Sequence, residues 1–343
     1  MEAKPVVLQN EMCTADFNTE GGALVQWQLH SVDVNPFQFC WQEGVKGKTD
    51  VFFRGHFLCL GRWGDPSAAE AAIGHIKHGD FNRLHWQIEL EEKTIKMSAQ
   101  SELEGLAISR EVNLHKSTAV MQVRETVHNI LPVGRLYNMM QHPTLSVPFL
   151  DSETIVDCNA SVGFDYAFDT YNEKVFSKWP DVLTADGSNM NLVQPDKAYS
   201  SVFPFIVNPN DAWGWMTAYS PTHNLLLGYV WKRTHYPWIA HWLHFEEGSL
   251  TYRGLEFGTT GIHQPIAAIW GKDMLKLLNE PTCCFIDAGE KEMRSYTCFL
   301  HEVPQGFNGV DKIEISDKSI IVTPKKLKGK TDVLQQLNIH HEL

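Results

Sequence analysis

Three short segments of this chain carry residues suited to moving protons. The most pointed is Tyr252 to Gly261 (Tyr-Arg-Gly-Leu-Glu-Phe-Gly-Thr-Thr-Gly), where one acid, Glu256, stands between Leu255 and Phe257. Burial raises a carboxyl pKa, and a raised pKa suits a general base or acid near neutral pH. An equal alternative is structural: a carboxylate at a sheet edge, paired with Arg253 or another cation. The second segment, His78-Gly79-Asp80-Phe81-Asn82-Arg83, gathers an imidazole, an acid, an amide and a guanidinium in one loop. Taken alone it reads first as a solvated turn. The third is Gln141-His142-Pro143. Proline restricts the residue before it to extended backbone, so His142 is pinned at a strand end or sits as a core histidine bonded to a carbonyl.

The elements that must position these residues read as strands. Trp86, Ile88 and Leu90 share one parity, as do Ile95, Met97 and Ala99 after a polar turn. Ile108, Val112 and Leu114 are answered by Met121, Val123 and Val127. Both are antiparallel hairpins with one polar face. Further strands are expected over 213–219, 225–231 and 238–245, with a hairpin joining 284–286 to 293–300. In 238–245, Trp238, Ala240, Trp242 and His244 share a face, and His241 points the other way. That face is either a sugar platform or core. Short helices are expected over 66–76 and 272–279, and long loops with short strands over 131–200. The strands are many and short, without strand–helix alternation, which predicts an all-β antiparallel sandwich over residues 1–303. Residues 304–343, with a small hairpin and a Lys-rich tail, read as an appendage.

Composition bounds the partners. The 343 residues carry a net charge of -12, and no basic patch suggests a nucleic-acid partner. No stretch approaches the roughly 20 apolar residues that span a bilayer. The seven cysteines form no Cys-x-x-Cys pair, and no signal-peptide pattern opens the sequence, so a cytoplasmic protein with reduced thiols is expected. The 11 tryptophans give modest support to a carbohydrate ligand, because indoles stack on the apolar faces of sugars.

In order and spacing, the three segments resemble the aldose 1-epimerase, or galactose mutarotase-like, superfamily. His78-Gly79 ahead of the strand at Trp86, His142-Pro143, and Leu255-Glu256 before a terminal hairpin match its motifs, and Gly61-Arg62 partly matches its sugar-contacting loop. Thr144-Leu145 follows His-Pro where the family has Tyr-Phe, so the family's substrate is not carried over. The resemblance implies a galactose mutarotase-like β-supersandwich with few short helices, and exchange of the anomers of a free or phosphorylated aldose by acid–base ring opening without a cofactor. It implies Glu256 as base, His142 as acid and His78 as a hydrogen-bonding group. It further implies Arg62, Arg83 and Gln141 as substrate-binding residues, with Trp242 as a stacking platform. Two alternatives stand beside it. One is a non-catalytic sugar-binding or sensing protein on the same fold. The other is a metal site built from His78, His142 and Glu256.

Overall fold

The structure, a computed structural model, describes residues 5–43, 51–316, 318–326 and 335–340. Two large antiparallel sheets face each other. The larger runs in the order Val6–Gln9, Cys13–Phe17, Leu24–Leu29, His56–Gly61, Arg135–Leu145, Ser249–Gly258, Trp238–Glu246, Ser201–Val207, Ala160–Gly163 and Ser177–Lys178. The second runs Ile155–Cys158, Trp213–Ser220, Leu225–Lys232, Lys291–Glu302, Val120–Asn129, Leu106–Leu114, Thr94–Ser101 and Gln87–Glu91. The two hairpins expected around Glu91 and His115 form in the registers their apolar parity requires, with Leu90 opposite Ile95 and Val123 opposite Val112.

Alternation along the central strands decides what each face carries. Leu58, Leu60, Tyr137, Met139, Ile239, Leu255 and Phe257 turn into the space between the sheets. They meet Val123, Tyr229, Trp231 and Tyr296 of the second sheet, and Trp231 stacks on Phe257 with ring centroids 4.2 Å apart. The alternate residues, among them Phe57, Cys59, Met140, Ala240 and Trp242, face outward and build a smaller aromatic cluster with Phe39, Phe53 and Trp63. The candidate chemistry lies on that outer face.

Several local expectations are corrected. Within 131–200 lies the eleven-residue strand Arg135–Leu145, a central strand of the larger sheet. Asn138, Gln141, His142 and Pro143 hid a strand that is buried on both faces. The second helix is Ile266–Gly271, not 272–279, where Asp273, Leu278 and Asn279 take positive φ and a two-residue hairpin forms instead. Cys284–Ile286 pairs with Arg135–Tyr137 rather than with the strand that follows it. The first helix, Ala68–Ala72, begins at a capping box made by Ser67 and Glu70.

Residues 310–340 contribute three strands, Val310–Ile315, Ser319–Pro324 and Leu337–His340. Val310, Ile313, Ile320, Val322 and Ile339 pack on Trp215, Leu226, Val230 and Phe299, on the outer side of the second sheet. One buried acid fastens them: Asp157 accepts the Val310 N–H at 2.8 Å and pairs with Lys325. Replacing Asp157 with Ala is expected to loosen this small sheet before the rest. Hydrogen exchange at residues 310–324 should accelerate while the central strands stay protected. Equal acceleration in both would contradict it.

Candidate active site

A cavity of about 270 Å³ opens on the outer face of the larger sheet and is lined by Phe39, Trp41, Phe53, Phe57, Trp63, Lys77, His78, His142, Val202, Trp242, His244, Glu256 and His263. Two adjacent strands set its centre. Gln141 pairs with Phe257 and Thr144 with Gly254, so the same register puts His142 opposite Glu256. His142 Nε2 lies 3.3 Å from Glu256 Oε2. Trp63 donates its indole N–H to the same oxygen at 2.8 Å.

Glu256 is 1% exposed. Burial drives its carboxyl well above the ordinary carboxylate range, and the Trp63 hydrogen bond draws it part of the way back. Arg253, the cation proposed as a structural partner, points to the opposite face and donates to the carbonyls of Leu192 and Val193. Glu256 is therefore not held in an ion pair with Arg253. The role of Trp63 gives a direct expectation. Trp63→Phe keeps an aromatic ring but removes the donor, so the basic limb of a pH–rate profile, where the proton shared by Glu256 and His142 is lost, should move to higher pH. A limb that stays in place would show that the indole does not stabilise the carboxylate.

The hydrogen bonds fix the tautomers. Thr144 donates its hydroxyl to the His142 carbonyl, so its oxygen is left to accept from His142 Nδ1, 2.9 Å away. The Nε2 lone pair of His142 then faces Glu256. The His142 ring also stacks on Phe57, its cross-strand neighbour, at 4.2 Å. At His78 the arrangement is reversed. The Gly64 N–H donates to Nδ1 at 3.3 Å, which leaves the proton on Nε2. His78 takes φ of 62°, and its own N–H bonds the Gly64 carbonyl at 3.0 Å, which holds this left-handed residue in place. Gly64 must itself be glycine: its φ is 102°, and a Cβ there would lie 3.0 Å from the backbone of His263.

A third imidazole completes the wall. The His263 ring lies 5.5 Å from that of His78 and 4.8 Å from that of Trp63. Burial, reinforced by the charge of Lys77, pushes His263 down to about 3. His78 and His142 are lowered too, chiefly by burial. At neutral pH His78, His142 and His263 thus stand uncharged beside a carboxyl that burial drives toward its neutral form.

His78, His142, Trp242 and Glu256 line this one cavity. Arg62, Arg83 and Gln141 are not among the lining residues. Arg62 is buried between Glu70, at 2.8 Å, and Glu104, at 3.1 Å. Arg83 pairs with Asp80, which also accepts from Ser101 at 2.7 Å. Gln141 points into the space between the sheets and donates to Glu125 at 2.7 Å. His241 likewise faces inward, stacked on Trp179. Trp63 and His263 escaped notice in the sequence. Trp63 adjoins the Gly61-Arg62 pair that drew attention, and His263 lies in a short loop two residues before Pro265. Among the described residues no cluster of His, Cys, Asp or Glu is arranged to hold a metal ion, and no helix is long and apolar enough to cross a membrane.

No family model matches the chain, and no curated protein does. Solved structures do match. A galactose mutarotase related enzyme from Lactobacillus acidophilus superposes with a TM-score of 0.61 at 11% identity, over 87% of this chain and 97% of that one. A galactose mutarotase-like protein from Lactobacillus casei gives 0.59 at 14%, over 87% and 100%. A candidate aldose 1-epimerase from Escherichia coli gives 0.57 at 11%, over 88% and 99%. The chain has the galactose mutarotase-like fold, in a form far diverged in sequence.

Proposed function

We propose that the protein exchanges the anomers of an aldose by acid–base ring opening at Glu256 and His142. The observation that carries this reading is the buried His142–Glu256 contact at 3.3 Å on the floor of an aromatic cavity. A single proton lies between a carboxyl and an imidazole that burial holds near neutrality. Its transfer from Glu256 to His142 Nε2 leaves a carboxylate and an imidazolium. The carboxylate takes the proton of the sugar's C1 hydroxyl while the imidazolium protonates the ring oxygen. The bond from C1 to the ring oxygen breaks, C1 becomes an aldehyde carbon, and the aldehyde rotates about C1–C2. Reclosure on the other face returns both protons. His78 donates its Nε2–H to the ring oxygen or a neighbouring hydroxyl. No added redox partner or cofactor is needed to balance these steps.

The fold's likeness to the mutarotase-related proteins supports this reading, and all seven cysteines are free, as a reducing compartment such as the cytoplasm would keep them. The test is anomer exchange followed by NMR across common aldoses and their phosphates. Catalysed exchange that vanishes in His142→Ala is expected. Sugar binding without any acceleration would favour the sensing alternative.

A further inference from the structure

One buried carboxylate behind the cavity touches several of the segments that build it. Glu104 stands in the turn between Thr94–Ser101 and Leu106–Leu114 of the second sheet and is fully buried. Arg62 donates to it from Nε at 3.1 Å and from Nη2 at 3.4 Å. His75 Nδ1 lies 3.1 Å from Oε1, and Arg135 Nη2 lies 3.6 Å from Oε2. The Glu104 N–H donates to the Ser101 hydroxyl at 3.0 Å, and that hydroxyl donates to Asp80 at 2.7 Å. Burial opposes the charge of this carboxylate, but the hydrogen bond from His75 and the charge of Arg62 outweigh it and hold the group below the ordinary range. Arg62, His75, Glu104 and Arg135 are not among the lining residues, yet each partner neighbours one that is. Arg62 precedes Trp63, His75 lies three positions before His78, Asp80 lies two after it, and Arg135 begins the strand that carries His142. The backbone from Gly61 to Gly64 is confined from both sides. Gly61 takes φ of 96° and a Cβ added there would collide with the Glu104 carboxylate, while Gly64 lies against His263.

The geometry points to Glu104 as a positioning residue for the acid–base pair. Bound to Arg62, it fixes the turn from Gly61 to Gly64 so that the Trp63 N–H reaches Glu256 and the Gly64 N–H reaches His78 Nδ1. The guanidinium that the family resemblance would offer to sugar hydroxyls is thereby held in the frame of the site. The consequence for rate rests on the anomer-exchange reading; the consequence for Glu256 does not. The titratable neighbours of Glu256 are His142, at 3.3 Å, and the buried Cys59 thiol. Two effects of neutralising Glu104 have opposite signs. Loss of a negative charge would by itself favour ionisation of Glu256. A loosened turn weakens the Trp63 hydrogen bond, which favours the protonated form.

The test is NMR titration of the Glu256 carboxyl carbon, assigned by its loss in Glu256→Gln, in the parent, Glu104→Gln, Trp63→Phe and the double variant. Anomer-exchange rates are taken on the same proteins. Trp63→Phe should raise the Glu256 midpoint by about one pH unit, roughly what one hydrogen bond to a charged group contributes. Glu104→Gln should raise it by part of that amount, and the double variant no further than Trp63→Phe alone. The Trp63 indole proton, assigned by its loss in Trp63→Phe, should move upfield in Glu104→Gln. If Glu104→Gln fails to fold, Arg62→Lys, which keeps the charge but not the two-pronged contact, is read in the same way. An indole proton that stays in place, a midpoint that stays or falls, or shifts that add in the double variant overturns the positioning role. The expected shifts without catalysed exchange in the parent leave the positioning role standing and remove the anomer-exchange reading. Catalysed exchange with an unmoved midpoint does the reverse.

Discussion

Glu256→Gln should abolish anomer exchange and, at the same time, make the protein harder to unfold. The rate loss expected from removing a general base is on the order of a hundred- to ten-thousandfold. The amide keeps the shape, can accept the Trp63 N–H and can donate to His142 Nε2. Sugar binding should therefore survive, which separates loss of chemistry from loss of the site. The stability gain follows from linkage. The folded carboxyl holds its proton more tightly than the unfolded one, whose ordinary value is 4.5. Its contribution to stability is intact below that value and is lost as pH rises toward the folded pKa. The melting temperature of Glu256→Gln should thus exceed that of the parent by a margin that grows as pH rises above 4.5. Identical melting curves across that range would mean that Glu256 is not held protonated by burial. His78, His142 and His263 work in the other direction. Their folded pKa values lie below the ordinary 6.5, so their contribution is intact above 6.5 and is lost as pH falls below it. Acid and base sides of the stability profile therefore report on different residues of one cavity.

The largest loss of stability is expected beneath the site. Arg110 donates to Glu125 at 2.7 Å in the space between the sheets, and Glu125 also accepts from Gln141 and from Tyr236, the latter at 3.1 Å. Gln141 in turn touches His56 at 3.2 Å. Glu125→Leu leaves a buried guanidinium without its counter-charge, a change that costs roughly 3–5 kcal/mol. The double variant Arg110→Met/Glu125→Leu removes both charges and should recover part of that loss, although Gln141 and Tyr236 then lack an acceptor. Chemical denaturation of the three proteins measures this. A double variant no more stable than Glu125→Leu would mean that the lost hydrogen bonds, not the unpaired charge, set the cost.

The strands and the faces they present were legible because alternation is a local signal. Glu256, His142 and His78 stand in short segments whose residue types are visible locally, yet each alone also fits a structural role, and only the resemblance in their order and spacing joins them. Arg62 and Gln141 look identical in kind and nothing nearby in the chain tells where they point, whereas Arg83 is claimed by Asp80, three residues before it. Arg62 is claimed by Glu104, forty-two positions on, and Gln141 by Glu125 of the other sheet. Such partnerships are a property of the packed sheets. His263 was obscure for a related reason, since its place is set by the close approach of its loop to Gly64. The strand Arg135–Leu145 was masked because its polar residues are satisfied by distant groups rather than by solvent.

The opposite facing of Gln141 and His142 has a consequence for how this chain can change length. A single residue inserted into the middle of Arg135–Leu145 or Ser249–Gly258 would exchange the two faces downstream and send His142 or Glu256 toward the core. A two-residue insertion would restore the facing but slide the acid from its imidazole by ~7 Å along the strand. Lineages of this protein should therefore show gaps and insertions at hairpin tips such as Thr184–Ser188, where nothing lies within 4 Å of a Cβ added to Gly187, and a fixed residue count through the strands of the cavity floor.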